Sequence, residues 1–270
     1  MFEHFPPRSV VVGIDGSQAA IRAALWAVDE VAGTDTPLRL LYIRRLSPDA
    51  GRTEARSAME VAEEAVNDAY DAINALGKPV KVEMEIVEGS PVPTLIETSR
   101  STLLLCVGDI GSGQSSPAGF GSTATALVHA AHCSVAVVRG DHDTELTERR
   151  SIVAHVDGSA DDQLVLEFAF EEANRRNAPL MVMTARQSGF DDHMRAMLNR
   201  YVVLWKQHYP EVDVRCTATH GPLVGYLAEQ AKSIQLVAVG ATQTNEVQQL
   251  LSPAADRALQ HSNFALLIVR

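Results

Sequence analysis

One carboxylate and a set of spaced glycines are the residues of this chain best suited to chemistry. Asp15 ends the β-branched run SVVVGI, Ser9 to Ile14, and is followed by Gly16 and Ser17. Gly108, Gly111 and Gly121-Ser122 follow a continuous apolar run, Leu103 to Val107, in a stretch rich in glycine and serine. An apolar strand, a glycine loop and a helix start make an anion site. Glycines let the backbone approach a ligand, and the helix end offers unpaired N–H groups and a positive dipole. Phosphate is the anion this arrangement suits. The alternative is a loop that merely joins a strand to a helix. The spacing excludes two common phosphate loops. No Gly-Lys-Ser/Thr follows, as a Walker A loop requires, and the glycines at 108, 111 and 113 do not form G-x-G-x-x-G.

Composition narrows the function class. A net charge of −11 argues against nucleic acid or an anionic membrane as a general partner, since both need a positive footprint. No apolar run approaches the roughly 20 residues of a membrane span. The start, MFEHFPPRS, lacks the basic and apolar segments of a signal peptide, so a cytoplasmic location is expected. Cys106, Cys133 and Cys216 sit in apolar or strand-like surroundings and read as reduced core or edge residues. His129 and His132 have metal-ligand spacing but no evident third ligand. No nucleophile, base and orienting group assemble, so no catalytic residue and no metal site is assigned.

Alternating strand and helix patterns position these groups. The strand from Ser9 leads to a helix with Ser17 as N-cap and Ile21, Leu25, Trp26, Val28 and Val31 along it. Leu38 to Arg44 is the next strand, a polar segment from Ser47 to Arg56 follows, and a helix runs from Ser57 to Leu76. Val80 to Val87 alternates as a strand, and a short helix around Thr94 to Ser99 precedes the run at Leu103, which reads as buried on both faces. A helix from Ser122 and a strand from Ser134 to Arg139 close the unit. Trp26 and Trp205 lie at core spacing, and the acidic stretch from Glu54 to Asp71 reads as a solvated face.

The pattern then repeats. At an offset of 142, Ser9 falls on Ser151, Asp15-Gly16-Ser17 on Asp157-Gly158-Ser159, and Pro37-Leu38 on Pro179-Leu180. Beyond the middle helix the offset is 132, so that Gly89 falls on Gly221, Leu95 on Leu227 and Gly108 on Gly240. A charged linker, Gly140 to Arg150, separates two domains, 1–143 and 149–270. The expected fold is α/β: two tandem doubly wound domains, with helices on both faces of parallel sheets.

The pattern Gly108, two residues, Gly111, nine residues, Gly121-Ser122 resembles the nucleotide-binding signature of the ATP-binding universal stress proteins. Tandem units that open with strand-Asp-Gly-Ser and close in Val-Arg extend the likeness over nearly the whole chain, to a two-repeat member. The resemblance implies a five-stranded sheet of order 3-2-1-4-5 in each domain, with ATP at the strand ends near the switch point. It also implies a regulatory role in stress response, pairing of the two repeats within the chain, and a homodimer as a further possibility. Gly13, Ile14 and Asp15 match the segment that contacts ribose and adenine, with Asp15 accepting from ribose hydroxyls. A turn or capping role is the alternative for Asp15. Ile43 matches the residue whose backbone faces the adenine edge. Val107, Gly108, Gly111, Gly121, Ser122 and Thr123 match the phosphate and ribose cradle. Asp109 departs from the pattern by placing a carboxylate in the loop, where it would repel phosphate. The loop has no Lys or Arg, so backbone amides and Mg²⁺ would balance the charge.

The second half has lost the signature: Gly111 becomes Gln243, Gly121 becomes Pro253, Ser122 becomes Ala254 and Gly13 becomes His155. Nucleotide is therefore expected in the first domain alone, with Asp157-Gly158-Ser159 a strand-to-helix turn with an N-cap. A slow ATPase and a non-binding structural or partner-interaction module are the alternative readings.

Overall fold

The computed structural model describes residues 8–45, 51–112, 120–140, 150–185, 192–219, 221–259 and 262–270. The chain divides into two compact units. One comprises the described residues up to Val138 apart from Phe120, and the other Phe120 and those from Arg139 onward. The linker between 141 and 149 and part of the polar segment, 46–50, lie outside the described residues.

In the first unit the chain alternates β1 (Ser9–Ile14), α1 (Gln18–Val31), β2 (Leu38–Arg44), α2 (Arg52–Ala75), β3 (Val82–Glu88), α3 (Pro91–Thr98), β4 (Thr102–Gly108), α4 (Ser122–Ala130) and β5 (Ser134–Val138). All pairings are parallel, in the order β3-β2-β1-β4-β5. Val12 stands opposite both Leu40 and Cys106, which places β1 at the centre of the sheet. A central parallel strand must be apolar on both faces, and Val10, Val11, Val12 and Ile14 are all buried. Leu103 departs from this rule: at 41% exposed it is the one residue of the apolar run that reaches solvent.

Helix α1 lies against β1 and β4 through Ala19, Ala20, Ala23, Ala24, Trp26, Ala27, Val28 and Val31, all buried. Four alanines on its first two turns let it approach the sheet closely. Ser17 caps it, its hydroxyl accepting from the Ala20 amide at 3.1 Å. Helix α2 begins at Arg52, five residues before the expected Ser57. The last part of the polar segment carries the helix formers Arg52, Glu54, Ala55 and Arg56, with Glu54 in the first turn, where the helix dipole favours an acid. Arg44, at the end of β2, donates to the Ala55 carbonyl at 2.8 Å and so anchors this added turn.

The second unit repeats the alternation: β6 (Ser151–Val156), α5 (Asp162–Arg175), β7 (Leu180–Ala185), α6 (Asp192–His208), β8 (Val214–Thr219), α7 (Leu223–Glu229), β9 (Ile234–Gly240), α8 (Thr244–Leu250), α9 (Pro253–Leu259) and β10 (Ala265–Val269). Its parallel strands run β8-β7-β6-β9-β10, the first unit's order over again. Trp205, read as core, is half-buried and stacks on Tyr209 with ring centroids 6.2 Å apart. Trp26 is fully buried.

Candidate functional site

The residues singled out by the sequence converge at the carboxyl ends of β1, β2 and β4. Because β1 pairs with β2 on one side and β4 on the other, the chain leaves its central strand in opposite directions. That divergence opens a crevice in such sheets. β1 ends at Ile14 opposite Tyr42, so Ile43 belongs to a stretch of β2 that runs past it, paired only with Val87 on β3. The side chains of Ile14, Ile43 and Val107 are buried. These three residues have only backbone to offer a ligand.

Asp15 stands where β1 stops, and both of its carboxylate oxygens are engaged. Oδ1 accepts from the Ser17 amide at 3.0 Å, which shapes the turn into α1. Oδ2 accepts from the Ser112 amide at 2.9 Å, reaching across to the glycine loop. Gly111 adjoins this contact: a Cβ there would lie 2.7 Å from Asp15 Oδ2. At Gly108 a Cβ would lie 2.6 Å from both the backbone carbon and the Cβ of Ala19, so glycine here is what lets α1 rest on the end of β4. Gly13 is less constrained, with Val107 Cγ1 3.3 Å from the position of a Cβ.

The loop returns to its origin. The Gly121 amide donates to the Asp109 carbonyl at 2.7 Å, while the Asp109 amide donates to Val138 at 3.0 Å. Gly121 is the N-cap of α4 without a side-chain bond, leaving Ser122 exposed and Thr123 half-buried at the first helical positions. The helix N-terminus therefore stands beside the end of β4, and its N-cap glycine has no side chain to bond the first amides. Residues 113–119, the middle of the loop, lie outside the described residues. Asp109, the carboxylate that departs from the pattern, is only 7% exposed.

The corresponding region of the second unit is filled by side chains. His155 and Gln243, which replace Gly13 and Gly111, are 2% and 3% exposed and clasp each other. His155 Nδ1 and Gln243 Oε1 are 2.8 Å apart, and Gln243 Nε2 donates to the His155 carbonyl at 3.1 Å and towards Asp162 Oδ1 at 3.4 Å. Those two acceptors fix the carboxamide with its nitrogen towards them, so His155 carries its proton on Nδ1. Thr244–Leu250 form helix α8 where the first unit has glycine loop. Pro253 opens α9, a position at which the missing N–H costs nothing.

Ser159 is not the cap expected for the following helix. Helix α5 starts at Asp162, after Asp161, with no side-chain cap. The Asp162 carboxylate instead collects the Gly158 amide at 2.8 Å, the Asp157 amide at 3.2 Å and the Ser159 hydroxyl at 3.3 Å. Burial raises its pKa above the ordinary 3.8, against the pull of those donors. Elsewhere, burial also raises the pKa of the Cys216 thiol on β8, the opposite of what a thiolate nucleophile needs.

Three features escaped the sequence reading: the Asp15–Ser112 tether, the seating of Ala19 on Gly108, and the pairing of His155 with Gln243. The last left a signal, since two glycine positions acquire complementary polar side chains together. Tethering through a backbone amide leaves none.

Comparison with known proteins agrees with this architecture. A sequence profile described as the Universal stress protein family matches residues 7–139. A universal stress protein of Mycobacterium tuberculosis strain H37Rv is 42% identical over 273 residues, covering 98% of this chain and 97% of that protein. A second from the same strain is 34% identical, covering 97% of this chain and 96% of its own length. Among solved structures, a universal stress protein from Archaeoglobus fulgidus covers 97% of this chain and 96% of its own, with a TM-score of 0.72 at 17% identity. That likeness shows the fold. Taken with the 42% identity over almost the full length, it follows that the chain belongs to the universal stress protein family.

Proposed function

We propose that the protein is an ATP-binding regulator of the stress response whose single nucleotide site lies in its first unit, at the carboxyl ends of β1, β2 and β4. Backbone at Gly13, Ile14 and Ile43 lines the adenosine side. Gly108, Gly111 and Gly121 bring backbone amides to the phosphates, and Ser122 and Thr123 add hydroxyls at the start of α4. Asp15 keeps lone pairs for ribose hydroxyls: a carboxylate offers about four acceptor sites, and its two amide donors occupy two of them. Mg²⁺ balances phosphate charge in a loop without Lys or Arg.

The observation that carries this reading is the contrast between the halves. Matching strand ends carry glycines in one unit and the buried His155–Gln243 clasp in the other. Titration calorimetry with Mg·ATP is expected to give one site per chain. Two equivalent sites, or none, would refute the proposal. Gly111→Ala is expected to weaken binding at least tenfold, because its Cβ, 2.7 Å from Asp15 Oδ2, forces the carboxylate and the loop apart.

A further inference from the structure

We infer that Asp15 is a positioning residue for the phosphate-binding loop, a role separate from any contact with ribose. The inference rests on the assignment of this loop to phosphate. Ninety-seven residues separate Asp15 from Ser112, yet Asp15 Oδ2 and the Ser112 amide are 2.9 Å apart. The loop's first turn is pinned there, just past the end of β4. Gly111 fits the same purpose. A side chain at this position would meet Asp15 Oδ2 at 2.7 Å, so glycine leaves the carboxylate room to reach its donor.

The second unit supplies an independent observation. Asp157, the repeat of Asp15, keeps the turn bond, Oδ1 accepting from the Ser159 amide at 3.0 Å. A different bond forms past the strand end: Asp161, at the position of Ala19, accepts through Oδ2 from the amide of Thr242, at the position of Ile110, at 2.8 Å. Gly240 leaves room for it, as a Cβ there would lie 2.7 Å from Asp161 Cβ. In both units a carboxylate near the start of the first helix holds an amide just past the end of the fourth strand, although the residues at both ends of the bond differ, so such a bond does not depend on the glycine signature. In the first unit the two duties fall on one side chain, so the loop's shape and the ribose end of the site depend on the same carboxylate.

Tripolyphosphate separates the two roles because it carries the phosphates without the ribose. A carboxylate that did nothing but bind ribose would only repel tripolyphosphate, and Asp15→Ala would leave its affinity unchanged or improve it. A pinning carboxylate predicts the reverse. Asp15→Ala is expected to weaken tripolyphosphate about tenfold or more, the scale of one charge-assisted hydrogen bond, and ATP by more. In the nucleotide-free protein, hydrogen exchange at the Ser112 amide is expected to quicken by a similar factor. Ser17→Ala serves as the control, since it removes the bond to the Ala20 amide at 3.1 Å and spares the pin. It should leave tripolyphosphate affinity as it was. Tripolyphosphate binding unchanged or tighter in Asp15→Ala, with ATP weakened, would overturn the inference and leave Asp15 a ribose contact. If the unaltered protein bound neither ligand, the nucleotide reading would fail on its own. Exchange at Ser112 would then decide: faster in Asp15→Ala upholds the pin, and unchanged overturns it.

Discussion

Replacing Gln243 by alanine tests whether the clasp in the second unit holds that unit together. The substitution removes the acceptor 2.8 Å from His155 Nδ1 and the donor 3.1 Å from the His155 carbonyl. It also strands a ring N–H in a residue only 2% exposed. An unsatisfied buried donor costs about 1–3 kcal/mol, and the space left by the carboxamide adds to it. Destabilisation of about 2–4 kcal/mol follows for the second unit, a large share of the 5–15 kcal/mol typical of a whole domain. The double variant should cost less than the sum of the two single ones, because His155→Ala removes the donor that Gln243→Ala leaves stranded. The double variant should therefore show a coupling energy of about 1 kcal/mol or more. Urea unfolding followed by circular dichroism gives the four stabilities of the cycle, with ATP titration reporting separately on the first unit. A loss below about 0.5 kcal/mol for Gln243→Ala, the scale of an inconsequential surface change, would refute the clasp as a stabilising contact. So would strict additivity.

Two further outcomes follow from the geometry. Gly108→Ala is expected to destabilise the first unit by about 1–3 kcal/mol, measured by thermal melting, because the added carbon meets the Ala19 backbone at 2.6 Å and not a side chain that can swing aside. Ala19→Gly should restore only part of the loss. The raised pKa of Asp162 makes the folded second unit bind a proton more tightly than the unfolded chain. Its contribution to stability is complete below about pH 3.8 and is lost as pH rises through the folded value. Asp162→Asn should flatten that part of the pH profile, read by urea unfolding at stepped pH, and an unchanged profile would refute the assignment.

Periodicity revealed most of the fold because a parallel sheet demands it. Strands buried on both faces are continuous apolar runs, and β1 is legible to the residue for that reason. Helix α2 was misjudged at its start because charge was taken as a sign of coil. Arg52, Glu54 and Arg56 are helix formers, and a long solvated helix needs few apolar residues in its first turns. Ser159 was misjudged for a related reason. The same three residues, Asp-Gly-Ser, begin helices in both units, but capping depends on which neighbour supplies the oxygen. In the second unit the Ser159 hydroxyl donates to Asp162, whose carboxylate also accepts from the Asp157 and Gly158 amides, and α5 starts later with no side-chain cap.

The site was legible in its glycines and opaque in its contacts. A glycine in a sequence announces that a side chain is excluded, without saying what excludes it. For Gly108 the excluding group is the Ala19 backbone, for Gly111 it is a carboxylate from β1, and for Gly121 it is the Asp109 carbonyl 3.3 Å from a Cβ. These contacts come from the protein itself, closest at Gly108 and Gly111 and only tight at Gly121. The second unit bears this out from the other side. Its retained glycine, Gly240, sits where Asp161 presses against the strand end, while the position of Gly111 holds a glutamine that bonds His155. The glycine signature thus records how a loop is held open, and the carboxylate that holds it belongs to the signature as much as the glycines do.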